Sequence, residues 1–179
     1  MIQFGCRALL CLVFLLPAPP LFADDVNVEY KIKAGYIYNF TKFITWPEDD
    51  GKTFNVCIWG DDPFGDSIKL MENKTALGRP IKLFKFNNGP QRDQHCHILY
   101  MNDPGNDAPA LKDALVIRDL DNTLTVGESE EFTKQGGMIG FVNRQDKIKI
   151  QINVNALKQS RLTVSAKLLE VAEIVGGTP

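Results

Sequence analysis

The sequence predicts an α/β fold: one domain with a central, mainly parallel sheet, flanking helices and a C-terminal antiparallel hairpin. Three observations carry this reading. Short branched and apolar runs at 54–60, 81–86 and 96–101 read as strands. Segments with apolar residues at helical spacing lie around and between them. MIGFV and KIKIQINV, separated only by Asn143–Asp146, read as a hairpin. Strands alternating with short helices form the α/β pattern, and no repeat or long linker divides the chain.

Each element has its own local reason. Glu29–Pro47 is helical in spacing, with Ile32, Tyr36, Phe40 and Phe43 on one stripe and Lys31, Lys33 and Lys42 on the wet faces. Pro47 ends it. FNVCIWG (54–60) is a buried strand, and the helix predicted after it takes Asp61 or Asp62 as N-cap. IKLFKF (81–86) alternates as a half-exposed strand, and CHILYM (96–101) is another buried one. After the polar loop NDPGNDAP comes a short helix near Ala110–Asp113, then strands at 114–119 and 123–126. SEEFTKQGG reads as a short helix capped by Ser129 and ended by Gly136–Gly137. Beyond the hairpin, two helical pieces are predicted, near Asn155–Arg161 and Ser165–Val175. The second places Leu168, Leu169, Ala172 and Val175 on one face.

Residues 1–23 have the layout of a secretory signal peptide: Arg7, the apolar run Ala8–Leu16, then a Pro-rich exit ending at Ala23. The run is too short to span a bilayer. Cleavage is placed after Ala23, leaving 24–179 as an exported domain long enough to bury a core. The full chain's 20 basic and 22 acidic residues give −2, and loss of Arg7 makes this −3. A mildly acidic domain without a Lys/Arg cluster excludes a nucleic-acid binder. Cys6 and Cys11 leave with the signal, so the exported chain keeps Cys57 and Cys96. In an oxidising compartment such thiols most simply pair with each other, free or intermolecular thiols being the alternatives. The pair would close a loop worth about 4 kcal/mol by loop entropy.

Several strings resemble catalytic or ligand motifs. ALVIRDLDNTL (114–124) ends a strand in Asp-x-Asp-x-Thr, like the nucleophile loop of haloacid-dehalogenase phosphotransferases. Asp119 would attack phosphorus and Asp121 act as acid/base around Mg²⁺. The later Lys and acidic pair that such chemistry needs do not follow in suitable places, so a polar turn is the better reading. Gly51–Thr53 (GKT) lacks the earlier glycine and the preceding strand of a phosphate loop, since Trp46 stands at the glycine position. His95 and His97, at i and i+2, would share one strand side and could grip a Zn²⁺ with help from Asp93 or Asp103. Nothing in the spacing selects those carboxylates. Cys96 as a nucleophile would need a base pointing the other way. The residues call for no catalytic centre and no cofactor. Phe64 and Phe132, near surface turns, are candidates for an exposed partner anchor, with a core position as the alternative.

Taken together, AGYIYNFTKFITWP, VCIWGDDPFG, CHILYM, LTVGESEEFTKQGGMIGFV and KIKIQINVNALKQSRLTVSAKLLEVAEIV resemble the YfiR family of bacterial periplasmic proteins, in the family's order over about 28–175. The resemblance implies regulation without catalysis: a periplasmic inhibitor that binds the sensor domain of an inner-membrane diguanylate cyclase and keeps cyclic-di-GMP low. It also implies an OmpA-like outer-membrane lipoprotein that can sequester the inhibitor. Homodimerisation is a further expectation. Cys57 and Cys96 match the family's first disulfide. Members with a second pair carry it in the GGMI region, where Glu131–Met138 contain no Cys. The runner-up reading is a periplasmic domain that binds or senses a small ligand in an α/β crevice.

Overall fold

A computed structural model describes residues 23–87, 94–102, 120 and 122–177. Eight strands form one sheet: β2 (Phe54–Trp59), β3 (Thr75–Ala76), β4 (Arg79–Phe86), β5 (Ile98–Met101), β6 (Leu124–Glu128), β7 (Ile139–Arg144), β8 (Lys147–Asn153) and β10 (Glu173–Val175). Their spatial order is β10-β8-β7-β6-β5-β2-β4-β3. The pairs β4/β2, β2/β5, β5/β6 and β6/β7 are parallel, as is β8/β10, whereas β7/β8 and β3/β4 are antiparallel. The mainly parallel α/β sheet with its C-terminal hairpin is therefore present. A separate two-stranded ladder joins β1 (Ile44–Thr45) to β9 (Thr163–Val164).

Parallel strands need cover on both faces, and their alternation sorts the core into two clusters. Val56, Ile58, Ile98, Tyr100, Leu124 and Val126 face the larger cluster under α1 (Ala23–Phe43), with Ala34, Ile37 and Phe40 from that helix. Cys57, Leu99 and Met101 face the other side, where Cys96 and Phe132 join them. Here the Cys57–Cys96 disulfide fastens β2 to the residues entering β5, with Cα atoms 5.8 Å apart.

Several sequence expectations change. The buried face of α1 is turned from the stripe read in the sequence: Lys33 is 3% exposed, whereas Ile32 is 46% exposed. Lys33 is held there by the carboxylates of Glu29 and Glu128. The helix after β2 is only α2 (Asp66–Lys69) followed by a 3₁₀ turn, Leu70–Asn73. Asp62 does not cap it; its carboxylate accepts from the amides of Phe64 and Gly65 within the preceding turn. Near the C terminus the helix stops as α5 (Ala166–Glu170), and Glu173–Val175 becomes strand β10 instead of a further helical turn. Branched Ile174 and Val175 extend the sheet beside β8, and Arg144 grips Glu173 through two bonds, Nε–Oε1 3.2 Å and Nη2–Oε2 3.0 Å.

The remaining short helices are α3 (Ser129–Lys134) and α4 (Val154–Gln159). Asn153 caps α4 by accepting from the amides of Asn155 and Ala156. Ser129 does not cap α3: it is the first helical residue, at φ 75°, and Glu128 before it makes no side-chain cap bond. The hairpin turns through Gln145 and Asp146, both with positive φ, as a two-residue connection requires. The expected helix near Ala110–Asp113 and strand at 114–119 lie outside the described residues, as does most of the expected signal peptide.

The staple makes stability redox-dependent. Reduction, or paired Cys57→Ser and Cys96→Ser substitution, is expected to cost about 2–4 kcal/mol. In thermal melts that lowers Tm by about 6–12 °C; an unchanged Tm would show that the bond adds nothing to the fold.

Candidate functional site

Parallel strands put their two ends in different chemical settings. At the end where β2 and β5 begin, His97 is 1% exposed and fully engaged. Its amide donates to Asn55 O at 2.9 Å, and its carbonyl accepts from Leu124 N at 2.8 Å and from Trp46 Nε1 at 3.0 Å. Its ring stacks on Phe54 at 4.4 Å. Nδ1 accepts the backbone N–H of Asn55 at 2.9 Å, which places the ring proton on Nε2, 2.9 Å from Asp49 Oδ2. Arg79 binds the other Asp49 oxygen and the Gly51 carbonyl. The trio clamps the loop before β2 onto the strand ends.

His95 and His97 lie close together, with ring centroids 4.6 Å apart, and the structure adds Asp49, a residue that the sequence reading did not select. The ligand atoms of Asp49, His95 and His97 all lie within 4.8 Å of one another. The hydrogen bonds oppose the metal reading. A metal on Nε2 of a neutral imidazole requires the proton on Nδ1, where it would meet the N–H of Asn55. Arg79 Nη2 also stands 3.2 Å from Nε2. This chemistry is that of a proton-bearing clamp. Asp93 and Asp103 lie outside the described residues, as do Asp119 and Asp121.

At the opposite end, a crevice of about 410 Å³ opens beyond β5 and β6, lined by Glu29, Lys33, Asn102, Glu128, Ser129 and Arg144 among others. Buried Lys33 lies 2.5 Å from Glu29 Oε1 and 2.8 Å from Glu128 Oε1, over the Tyr30 ring at 4.4 Å. Two carboxylates therefore hold on the buried face a lysine that the sequence assigned to a wet one. The Glu29–Lys33 spacing of i, i+4 was the one legible hint; Glu128 arrives through the fold. Tyr100 donates to Glu128. Burial, then the Glu128 charge, pushes the Tyr100 phenol far above its usual range, and the same causes push Tyr30 up to about 12. Both phenols therefore stay protonated and supply no base. Arg144 bridges Glu130 and Glu173, and its bond to Glu130 holds that carboxyl below its usual value. The charges here are largely spent on one another.

Phe64 and Phe132 are both 4% exposed, so neither is the exposed anchor considered from sequence. Phe64 fits edge-on against Tyr30 and Tyr100. Phe132 fills a slot between Gly127 and Gly137, where an added Cβ would stand 2.4 Å and 2.1 Å from its ring. Among the described residues, no helix is long and apolar enough to cross a membrane.

The described residues thus form a disulfide-stapled α/β domain with a crevice of paired charges at one end of its sheet. The chain belongs to the YfiR/HmsC-like family, whose model matches residues 30–173. Membership suggests a periplasmic regulator of diguanylate cyclase signalling and not a catalyst. No curated protein matches the chain significantly.

The His97 clamp gives stability a definite pH dependence. Burial, opposed by the hydrogen bond to Asp49, lowers the folded His97 value from 6.5 to about 4. The unfolded chain then binds more protons between those values, so His97's contribution is complete above pH 6.5 and lost as pH falls towards 4. For Asp49, burial works upwards but is outweighed by hydrogen bonds from Arg79, the Gly51 amide and His97, leaving it at about 2 instead of 3.8. It adds a loss of the same sign below pH 3.8. Urea midpoints are expected to fall from pH 6.5 downwards, and His97→Asn, which keeps an acceptor for Asn55 N–H, should flatten that fall between pH 6.5 and 4. An unchanged slope would contradict the clamp.

Proposed function

We propose that this chain is a periplasmic negative regulator that binds the periplasmic sensor domain of an inner-membrane diguanylate cyclase and holds cyclic-di-GMP synthesis low. The observation that carries the proposal is the family match across residues 30–173, almost the whole of the described fold. The crevice charges among the described residues are paired with one another, Lys33 with Glu29 and Glu128 and Arg144 with Glu130, which suits a surface that holds its shape for contact. In this reading residues 1–23 are a signal peptide, 24–179 is the exported domain, and an OmpA-like outer-membrane lipoprotein relieves inhibition by sequestering it.

Regulation then works by contact, and the Cys57–Cys96 bond keeps the contacting shape. The crevice beside Lys33 and Glu128 favours a second reading, in which a small polar ligand binds there and no cyclase is involved.

Deleting the gene is expected to raise cellular cyclic-di-GMP several-fold, and the wild-type gene supplied in trans should restore it. Cys57→Ser should complement less well, in step with its lower stability. A nucleotide level unmoved by deletion would sink the assignment and favour the small-ligand reading.

A further inference from the structure

Two residues have costly backbone choices with no return inside the described molecule. Gly35 lies in the middle of α1 on its exposed side, where a Cβ would have nothing within 4 Å. A glycine there weakens the helix, and no packing within the chain requires it. Leu77 turns the β3–β4 hairpin at φ 51°, a conformation that L side chains rarely adopt, and is 49% exposed. A half-exposed leucine in place of Asn or Gly is a costly choice for such a turn.

Gly35 lies on an exposed seam of α1, and a cation–π contact from Lys74 to Tyr38 ties that helix to the segment leading to Leu77. Val28, Ile32, Gly35 and Asn39 follow one another by 4, 3 and 4 residues, the seam spacing of a helix that packs on another helix. Val28 and Ile32 are 51% and 46% exposed. Beside the seam, Lys42 and Lys74 sit 4.6 Å and 5.0 Å from the Tyr38 ring, and Lys74 leads directly into β3 and the Leu77 turn. Among the described residues, Lys31, Lys42 and Lys74 make no ion pair with a carboxylate. Glu29 of α1 is taken by Lys33, and the other acids of the helix, Asp24 and Asp25, lie in its first turn, before the seam. The surface is thus an apolar seam with a gap at Gly35, flanked by uncompensated cations.

We propose that this surface docks an amphipathic helix with an acidic flank, carried by the periplasmic part of the membrane protein that the chain regulates; this rests on the regulatory reading above. The partner's backbone approaches at Gly35, its apolar side covers Val28 and Ile32, and its carboxylates meet Lys31, Lys42 and Lys74. Leu77 anchors the far end.

The test is photocrosslinking in living cells, with a photoactivatable phenylalanine in place of Ile32 or, as control, of exposed Lys158. The expected adduct forms at position 32 only, joins a membrane protein, and maps to a periplasmic helix bearing acidic residues. Lys31→Glu with Lys42→Glu should cut its yield at least tenfold. Gly35→Leu should do the same while holding or raising Tm, by up to about 3 °C. An adduct between two copies of the chain, no adduct at position 32, or equal adducts at both positions would overturn the proposal. So would full yield from Gly35→Leu, or a fall in its Tm, which would give Gly35 an intramolecular role. The regulatory reading fails separately: the adduct would stand even if the captured protein had no link to cyclic-di-GMP. A rise in the nucleotide on deletion without any adduct would remove only the docking surface.

Discussion

The pairing of β2 with β5 is the constraint on which the rest of the molecule depends. It joins segments about forty residues apart and is fixed in three ways near one end. The Cys57–Cys96 bond fastens one face. The Asn55–His97 backbone and ring bonds set the register. The stacked Phe54 ring and the Trp46 indole close the other face. Parallel pairing is slow to form and gains little from local contacts, so a covalent link across it has a large entropic lever. With β2 and β5 fixed, β4 and β6 can add on either side, and the two core clusters are separated by the sheet itself.

Electrostatics acts at both strand ends in opposite ways. At the start of β5 a neutral imidazole is held between an amide donor and a carboxylate, and burial keeps it neutral. Beyond the end of β5 a buried ammonium is kept by two carboxylates and an aromatic face. Such buried ion pairs fix geometry more than they add stability, since desolvation offsets much of the attraction. Lys33 thereby joins Ala34, Ile37 and Phe40 on the buried face of α1, which leaves Val28, Ile32 and Gly35 outward.

Much of the frame was legible in the sequence. The strands at 54–59 and 98–101 follow from branched and aromatic residues, and the hairpin from its turn. The cysteine pair followed from assigning Cys6 and Cys11 to an expected signal peptide. What escaped depends on long-range partners. The stripe Ile32–Tyr36–Phe40–Phe43 is periodic, yet the true face runs through Ala34, Ile37 and Phe40 and takes in Lys33, which Glu128, 95 positions downstream, neutralises. Asp49 and Arg79 reach His97 across 48 and 18 positions, with no spacing signal to connect them. Phe64 and Phe132 flank turns in the sequence but are drawn inward by rings and by paired glycines. Ile174–Val175 had helical company, and only the open edge of β8 makes them a strand.

If the β2–β5 pair is the keystone of the fold, amide hydrogen exchange of the oxidised protein will show it. The amides of Val56, Ile58, His97 and Leu99 should be among the slowest in the molecule, opening only with global unfolding. Reduction of the disulfide should lower their protection together, to the new global limit. If these amides instead exchanged as readily as those of the edge strands β3 and β10, or kept full protection after reduction, the keystone would lie elsewhere.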